Sequence, residues 1–151
     1  MAKTIVLDSA PLGILTNPAQ TAEVRAITQW VVDCDAAGHR IIIPEIVDYE
    51  VRRELLRSRK AASVVELDNL KADLTYLPLT TSALLKAASL WAQTRQQGKP
   101  TSHDENIDVD VILAAQALTS GVPLADLVVA TVNLRHISLF VTADLWTNIK
   151  P

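Results

Sequence analysis

Short runs of apolar residues alternate along the chain with longer segments in which apolar residues recur every three or four positions. The runs at residues 4–7, 40–43 and 126–131 are rich in Val, Ile and Leu, which is typical of strands buried on both faces of a sheet. Weaker runs at residues 76–79 and 139–141 predict two further short strands, the second of them at the sheet edge. The pattern therefore predicts up to five strands.

Helical periodicity occupies the segments between the first runs. In residues 19–37 four apolar side chains recur at spacings of three and four, and Gly38 follows as the expected C-cap. Pro44 is expected to be the first residue of the next helix, which carries Glu50. A further helix is predicted at residues 61–73.

Two helices are predicted in the second half of the chain. Thr81 is expected to cap a helix that reaches Gly98 and presents one apolar face, formed by Leu84, Leu85, Ala88 and Trp91. Asp108 or Asp110 is expected to open a helix over residues 111–119, which ends at Gly121. The segment that follows the first strand, residues 9–18, is rich in turn residues, and residues 99–107 are polar and typical of a loop.

Alternating strands and helices predict one fold class. Strands that are separated by helices pair in parallel, and the helices then cover both faces of the sheet. We therefore expect an α/β fold with three α/β/α layers around a central parallel sheet. No repeat, low-complexity tract or linker divides the sequence, so residues 1–151 are expected to form a single domain.

Composition narrows the functional classes. The chain has 151 residues, of which 49% are hydrophobic and 21% charged, and its net charge is −3, so no global basic charge indicates nucleic acid. The single cysteine, Cys34, excludes an internal disulfide framework and a zinc site of clustered cysteines, which predicts a cytoplasmic protein. We expect no membrane partner, because the longest charge-free apolar stretch, residues 111–125, contains Gly121 and Pro123.

Four polar side chains follow strands or open helices in a way that brings them to one edge of the sheet. Asp8 ends the first strand, Glu50 lies one to two turns into the helix after the second strand, Asp110 opens a later helix, and Asn133 follows a later strand. Ligands of open α/β sheets bind beyond the carboxyl ends of the strands. Carboxylates gathered there repel one another unless a cation neutralises them, and oxygen ligands favour Mg²⁺ or Mn²⁺.

Four stretches of the sequence resemble, in order, the motifs of the PIN-domain nucleases, most closely the VapC-like toxins of type II toxin–antitoxin systems. The stretches are residues 5–9, 43–53, 110–117 and 129–136. The resemblance implies a Mg²⁺- or Mn²⁺-dependent endoribonuclease, a cognate antitoxin and a homodimer. It also implies that Asp8, Glu50 and Asp110 hold the metal and act in catalysis together with Asn133.

The resemblance leaves several assignments open. Many family members carry Asp where this chain has Asn133, so a second metal is expected mainly alongside substrate, and Asp108 or Asp104 is an alternative source of charge. Glu50 has three acidic neighbours in the same helix, Glu45, Asp48 and Glu54. We assign Asp108 a helix-capping role and Asp110 the metal role. Ser9 and Thr131 are expected to contact RNA or antitoxin, and a hydroxyl at position 131 supports the acidic site in the family pattern.

Five positive charges follow Glu50 within ten residues, at Arg52, Arg53, Arg57, Arg59 and Lys60. For most of them an exposed face with ion pairs is the favoured interpretation. The alternative is that Arg53 or Arg57 contacts substrate phosphates or an antitoxin segment.

Two other functions stay open at this point. A catalytically silent PIN-like module that binds RNA or protein is compatible with Asn133. A phosphatase of the haloacid dehalogenase type also begins with a strand that ends in Asp, but that chemistry requires a second Asp two residues later, where this chain has Ala10.

Overall fold

A computed structural model describes residues 2–98 and 104–151 of the chain, with side chains omitted for residues 104–107. Its strands are β1 (Thr4–Leu7), β2 (Arg40–Pro44), β3 (Thr75–Leu77), β4 (Leu127–Thr131) and β5 (Ala143–Leu145). Its helices are α1 (Ser9–Leu15), α2 (Ala22–Ala36), α3 (Glu45–Arg57), α4 (Ala61–Asp73), α5 (Thr81–Gln96), α6 (Asp104–Leu118) and α7 (Leu134–Ile137). Two short 3-10 turns lie at Leu124–Asp126 and Trp146–Asn148.

The five strands form one parallel sheet in the order β3-β2-β1-β4-β5. Every residue of β1 and β4 is buried, as their near-continuous Val, Ile and Leu content requires of strands covered on both faces. The predicted three-layer α/β/α class is confirmed. The strands β1 to β3 follow one another in one direction and β4 and β5 lie on the other side of β1, so the strand order reverses between β1 and β4. Ligands of such sheets bind beyond the carboxyl ends of the strands at this point.

One hydrophobic core surrounds this sheet. The side chains of the central strands pack there with those of α2, α3 and α6, among them Ile27, Val47 and Leu113, none of which is exposed. Trp30 of α2 is also buried, and its indole nitrogen donates a hydrogen bond of 2.8 Å to the carbonyl of Ile149, which fastens the C-terminal segment. No helix in the described part of the chain is long and apolar enough to cross a lipid bilayer.

The segment that follows β1 forms helix α1, although its sequence is rich in turn residues. Asp8 accepts a hydrogen bond from the backbone of Ser9 and caps α1, and Pro11 lies in the first turn, where its missing N–H has no helical partner to lose. Leu12 and Leu15 bury the apolar side of this helix in the core. Asp8 is therefore the single residue between β1 and the first helix.

Two predicted helix starts are wrong by one position. Pro44 is the last residue of β2, with an extended backbone at φ −70° and ψ 145°, and α3 begins at Glu45. Proline suits this position because its fixed φ is also compatible with extended backbone. Thr80, and not Thr81, caps α5, because its hydroxyl accepts a hydrogen bond of 3.0 Å from the backbone of Ala83.

The start of α6 and the last strand also differ from the prediction. Helix α6 begins at Asp104, so part of the predicted loop over residues 99–107 is helical, and residues 99–103 lie outside the described chain. The predicted strand at residues 139–141 is wrong: the backbone of Val141 bonds to Ile137 at the end of α7, and the edge strand is β5. Pairing with β4 decides the position of this strand, since its own sequence is weakly apolar.

The apolar face predicted for α5 is not the face that the core covers. Ala83, Ala87 and Thr94 are its buried residues, while Leu85 is 68% exposed and Trp91 40%. Small side chains on the buried face allow α5 to approach α6 closely, and the larger apolar residues remain on the surface.

Candidate metal site at the carboxyl end of the sheet

Asp8 is held in a defined orientation at the centre of the sheet edge. Its backbone N–H continues the ladder by donating to the carbonyl of Ala130 at 2.9 Å. One carboxylate oxygen accepts a hydrogen bond of 2.7 Å from the backbone of Ser9, and the other accepts one of 2.8 Å from the hydroxyl of Thr131. Two donors from two elements therefore fix the direction of this side chain.

Asp110 lies on the second turn of α6 and is partly buried near this carboxylate. Burial raises the pKa of Asp110 to about 7, and the negative charges of Asp8 and Glu50 add to the increase. Two carboxylates raise the pKa of a third in this way only when they are close enough to repel it. The structure thus brings Asp8, Glu50 and Asp110 together, from β1, α3 and α6.

Glu50 is the acidic residue of α3 whose charge acts on Asp110, and its three acidic neighbours are engaged elsewhere. Glu45 accepts a hydrogen bond of 2.7 Å from the backbone of Leu79. Asp48 is buried and pairs with Arg52 at 2.8 Å and with Lys71 at 3.3 Å, and Glu54 pairs with Arg57. Among the described residues, the ion-pair contact of Glu50 is a long one of 4.0 Å to Arg53.

The chemistry of these donors suits a hard divalent cation. All three are carboxylates, the ligand type that such an ion prefers. The pKa of Asp110 is raised mainly by burial and also by the charges of Asp8 and Glu50, which a bound cation would neutralise. Among the side chains that the structure describes, no three acidic, histidine or cysteine groups lie as close together as metal coordination requires.

Asn133 follows β4 and uses its side chain locally. Its amide oxygen accepts a hydrogen bond of 3.1 Å from the backbone of Arg135 and caps α7, and the residue is exposed. Its own backbone N–H donates to the hydroxyl of Thr131 at 3.0 Å. Thr131 is fully buried and therefore joins Asp8 to the turn that carries Asn133.

The capping role assigned to Asp108 is wrong. Because α6 begins at Asp104, Asp108 is an exposed residue inside the helix and not at its start. The side chain of Asp104 lies outside the described part of the chain. Neither residue has a described contact with the carboxylates.

The ion-pair interpretation of the basic cluster is confirmed for three of its five members. Arg52 pairs with Asp48 and, at 2.7 Å, with Asp68. Arg57 pairs with Glu54. Arg53 lies near Glu50, and its guanidinium is 5.1 Å from the centre of the Tyr49 ring. Arg59 and Lys60 form no ion pair among the described residues. The cluster thus divides into a paired part on α3 and two cations beyond its end.

Gln116 is a site-supporting residue that sequence reasoning missed. Its side chain is buried, its amide oxygen accepts a hydrogen bond of 3.1 Å from the backbone of Ile46, and its amide nitrogen donates one of 3.0 Å to the carbonyl of Leu77. It therefore fastens α6, which carries Asp110, to the first turn of α3, which carries Glu50. The available signal was a lone amide inside an otherwise apolar run of α6.

Comparison with solved structures shows the same fold. A chain of VapBC2 from Rickettsia felis, bound to a promoter DNA fragment, superposes with a TM-score of 0.70 at 14% identity, covering 95% of this chain and 98% of that one. A chain of VapBC-1 from nontypeable Haemophilus influenzae gives 0.67 at 15% identity, covering 96% and 99%. A chain of DNA-bound VapBC from Salmonella typhimurium gives 0.59 at 19% identity, covering 97% and 99%. No curated protein sequence shows significant similarity to this chain.

The sequence profile of the PIN domain family matches residues 14–144. This span includes Glu50, Asp110 and Asn133 and begins after Asp8. It covers most of the chain and agrees with the parallel sheet and with the fold of the solved structures. The chain belongs to the PIN domain family.

Proposed function

We propose that this protein is a Mg²⁺- or Mn²⁺-dependent endoribonuclease that acts as the toxin of a toxin–antitoxin pair. The observation that carries the proposal is the partly buried carboxyl group of Asp110, whose pKa the charges of Asp8 and Glu50 help to raise to about 7 at the carboxyl end of the sheet. A structural ion-pair network would place cations among such groups, as α3 does for Asp48. Here, in the described part of the chain, only the distant Arg53 approaches one of them.

The three carboxylates would hold the metal, directly or through water. When bound, such an ion neutralises the cluster, lowers the pKa of a water that attacks the phosphodiester, and stabilises charge on the departing oxygen. Asp8 is already oriented for this by Ser9 and Thr131, and Gln116 fixes the helices of the other two. Asn133 is exposed at the same edge, where its amide is able to orient a water or a substrate oxygen.

The toxin assignment rests on two lines of support. The motifs of the sequence resemble the VapC-like toxins most closely, and three of the solved structures that share the fold are VapBC complexes. A cognate antitoxin is therefore the proposed protein partner and a single-stranded region of RNA the proposed substrate.

A homodimer is the proposed assembly. Leu84, Leu85 and Trp91 are exposed on α5, and an apolar groove of about 320 Å³ lies between α5 and α6. A second copy that covers this face would remove the exposed apolar surface from water. Light scattering of the purified protein should give twice the chain mass, and Leu85→Glu should return it to the monomer mass.

Cleavage of a long single-stranded RNA tests the catalytic proposal. Wild-type protein should cleave with Mn²⁺ or Mg²⁺ and not with EDTA, and Asp8→Asn should lose at least about 100-fold in rate, because it removes a charged ligand. The matched control is Asp73→Asn, which changes an exposed aspartate at the end of α4 and should cleave at the wild-type rate. Equal rates in the two variants would refute the assignment.

A silent binding module is the second candidate, and one observation favours it. Asn133 contributes no charge to the candidate site. Calorimetric titration with Mn²⁺ separates the candidates: the nuclease should bind at least one ion per chain, and the silent module should bind none, with or without RNA.

A further inference from the structure

A cleft of about 560 Å³ opens between three helix ends, away from the carboxylates. The C-terminal end of α1 forms one side, the end of α3 a second and the start of α4 the third. The residues that line it at the α3–α4 junction are Arg59, Lys60 and Ser63. None of these residues has a role in the proposed metal site.

The start of α4 offers uncapped backbone donors to this cleft. Lys60 occupies the N-cap position and makes no side-chain hydrogen bond to the helix. The first intrahelical bond of α4 runs from the N–H of Val64 to the carbonyl of Lys60, at 3.1 Å, so the preceding N–H groups of residues 61–63 have no helical acceptor. Such groups, with the positive end of the helix dipole, favour an anion.

Ser63 is the independent observation that points to a ligand. It lines the cleft, only 3% of its surface is exposed, and its hydroxyl has no hydrogen-bond partner among the described residues. Buried hydroxyl groups in proteins are almost always hydrogen-bonded, so an unpartnered one requires an explanation. An oxygen-rich anion at the end of α4 would accept its hydrogen bond.

Arg59 and Lys60 supply the positive charge. Unlike Arg52 and Arg57 on the preceding helix, they form no ion pair in the described chain, although the charge of Lys60 also acts on the exposed Glu54, which Arg57 already pairs. Arg59 also has a φ of +55°, which makes it the one non-glycine residue of the described chain in the left-handed region. Glycine usually occupies this position after a helix, so arginine here adds a charge at the expense of backbone strain.

The cleft lies along α1 from the carboxylates. Asp8 caps the start of this seven-residue helix, and the C-terminal end of the helix lines the cleft. At 1.5 Å per residue, Asp8 and the cleft are therefore about 10 Å apart. Along α3, Glu50 and the last residue Arg57 are seven positions apart, about 10 Å by the same measure, and Arg59 follows two residues later. A stacked nucleic-acid strand rises about 3.4 Å per nucleotide, so about three or four nucleotides span the distance.

We infer that this cleft binds a backbone phosphate of a single-stranded RNA, about three nucleotides from the bond that the carboxylates address. The inference rests on the proposed function, since it assigns a substrate subsite to the same strand. Free amide N–H groups, a hydroxyl and two cations around one open cleft match the oxygens and charge of a phosphodiester and carry no base specificity. The subsite therefore fixes the position of the strand and does not select its sequence.

Fluorescence anisotropy with a labelled oligouridylate of about twelve nucleotides tests the inference, at several salt concentrations and in EDTA so that cleavage does not interfere. Arg59→Gly should weaken binding about tenfold and reduce the slope of log affinity against log salt by about 0.7, the value for one phosphate contact on a single strand. Its melting temperature should equal or exceed that of the wild type, because glycine adopts a positive φ without strain. Ser63→Ala should weaken binding several-fold without loss of stability.

Lys86→Gln is the matched control, because it removes an exposed positive charge on α5, far from the cleft in sequence. It should leave the affinity and the salt slope within error of the wild type. Wild-type affinity in Arg59→Gly and Ser63→Ala would overturn the inference, as would an equal loss in Lys86→Gln. Binding is measured without metal, so its result is independent of the cleavage test. If the protein cleaves RNA and the cleft variants bind RNA as tightly as the wild type, only the subsite is refuted.

Discussion

The hydroxyl of Thr131 donates a hydrogen bond of 2.8 Å to the carboxylate of Asp8, across 123 positions of sequence. Asp8 follows β1 and Thr131 is the last residue of the adjacent parallel strand β4, and the two strands pair in register up to Leu7 and Ala130. The same hydroxyl accepts a hydrogen bond from the backbone of Asn133. The hydroxyl oxygen of Thr131 therefore fixes both the direction of the Asp8 carboxylate and the conformation of the turn after β4.

Thr131→Val should lower both stability and metal affinity. Valine fills the same volume in this fully buried position but neither donates to Asp8 nor accepts from Asn133. Leaving these groups without their partner should reduce the free energy of unfolding by about 1–3 kcal/mol. The metal concentration needed for half-maximal cleavage should rise, because Asp8 is no longer held. Urea unfolding and a Mn²⁺ titration of the cleavage rate measure the two effects.

Thr131→Ser serves as the control, because it keeps the hydroxyl and removes one methyl group. We expect its metal dependence to match that of the wild type even if packing costs it some stability. Should valine and serine shift the metal requirement equally, the hydrogen bond to Asp8 would not be the cause.

The positions of the strands were predictable from the sequence because buried parallel strands have a continuous apolar pattern. Residues 4–7 and β1 coincide, and β2 and β4 differ from their predicted ranges by one residue each. The edge strand β5 was not predictable, since its three residues are only partly buried and include Asp144. Its position depends on pairing with β4, which the local sequence does not encode.

The site was predictable where chemistry and topology coincide, and not where it depends on packing. Asp8 and Asp110 were identified because their places at a strand end and on a helix bring them to the same edge of a parallel sheet. Gln116 was not identified, because a single amide in an apolar helix gives no indication of which backbone groups it will reach. The extended start of α6 was missed because its first turns are polar and resemble a loop.

Metal-free protein should lose stability as the pH rises from about 4 to about 7. The folded state raises the pKa of Asp110 to about 7, well above the ordinary value of an unfolded aspartate, so between these values the folded state binds more protons than the unfolded one. The stability contributed by the protonated carboxyl of Asp110 is fully present below the pKa of this group in the unfolded state. It is lost as the pH rises through the pKa of the same group in the folded state. Thermal unfolding in EDTA between pH 5 and 8 should show a fall of a few degrees on this account.

Asp110→Asn isolates the contribution of this carboxyl group. The variant cannot ionise at position 110, so its melting temperature should depend less on pH over the same interval and should exceed that of the wild type at pH 8. Adding Mn²⁺ should raise the melting temperature of the wild type and not that of the variant. Parallel pH profiles for the two proteins would contradict the burial of a repelled carboxyl at this position.

Gln116→Leu should destabilise the fold through two backbone groups that lie far apart in sequence. The N–H of Ile46 and the carbonyl of Leu77 would lose their hydrogen bonds in a buried region, at a cost of about 1–3 kcal/mol each. Chemical denaturation gives this free energy directly. Gln93→Leu, on the exposed face of α5, is the matched substitution and should change stability by less than about 0.5 kcal/mol.

Asn133→Asp should add a metal ion without changing the fold. The amide oxygen of Asn133 caps α7 by accepting from the backbone of Arg135, and aspartate caps a helix equally well, so the melting temperature in EDTA should stay within about a degree of the wild type. The new carboxylate adds a negative charge two residues after Thr131, the residue that donates a hydrogen bond to Asp8. Calorimetric titration with Mn²⁺ should therefore show a second ion bound in the absence of RNA, where the wild type binds one. Asn133→Ser keeps a capping oxygen without the charge and should bind as the wild type does, so a second ion in this variant would mean that charge at position 133 does not control metal number.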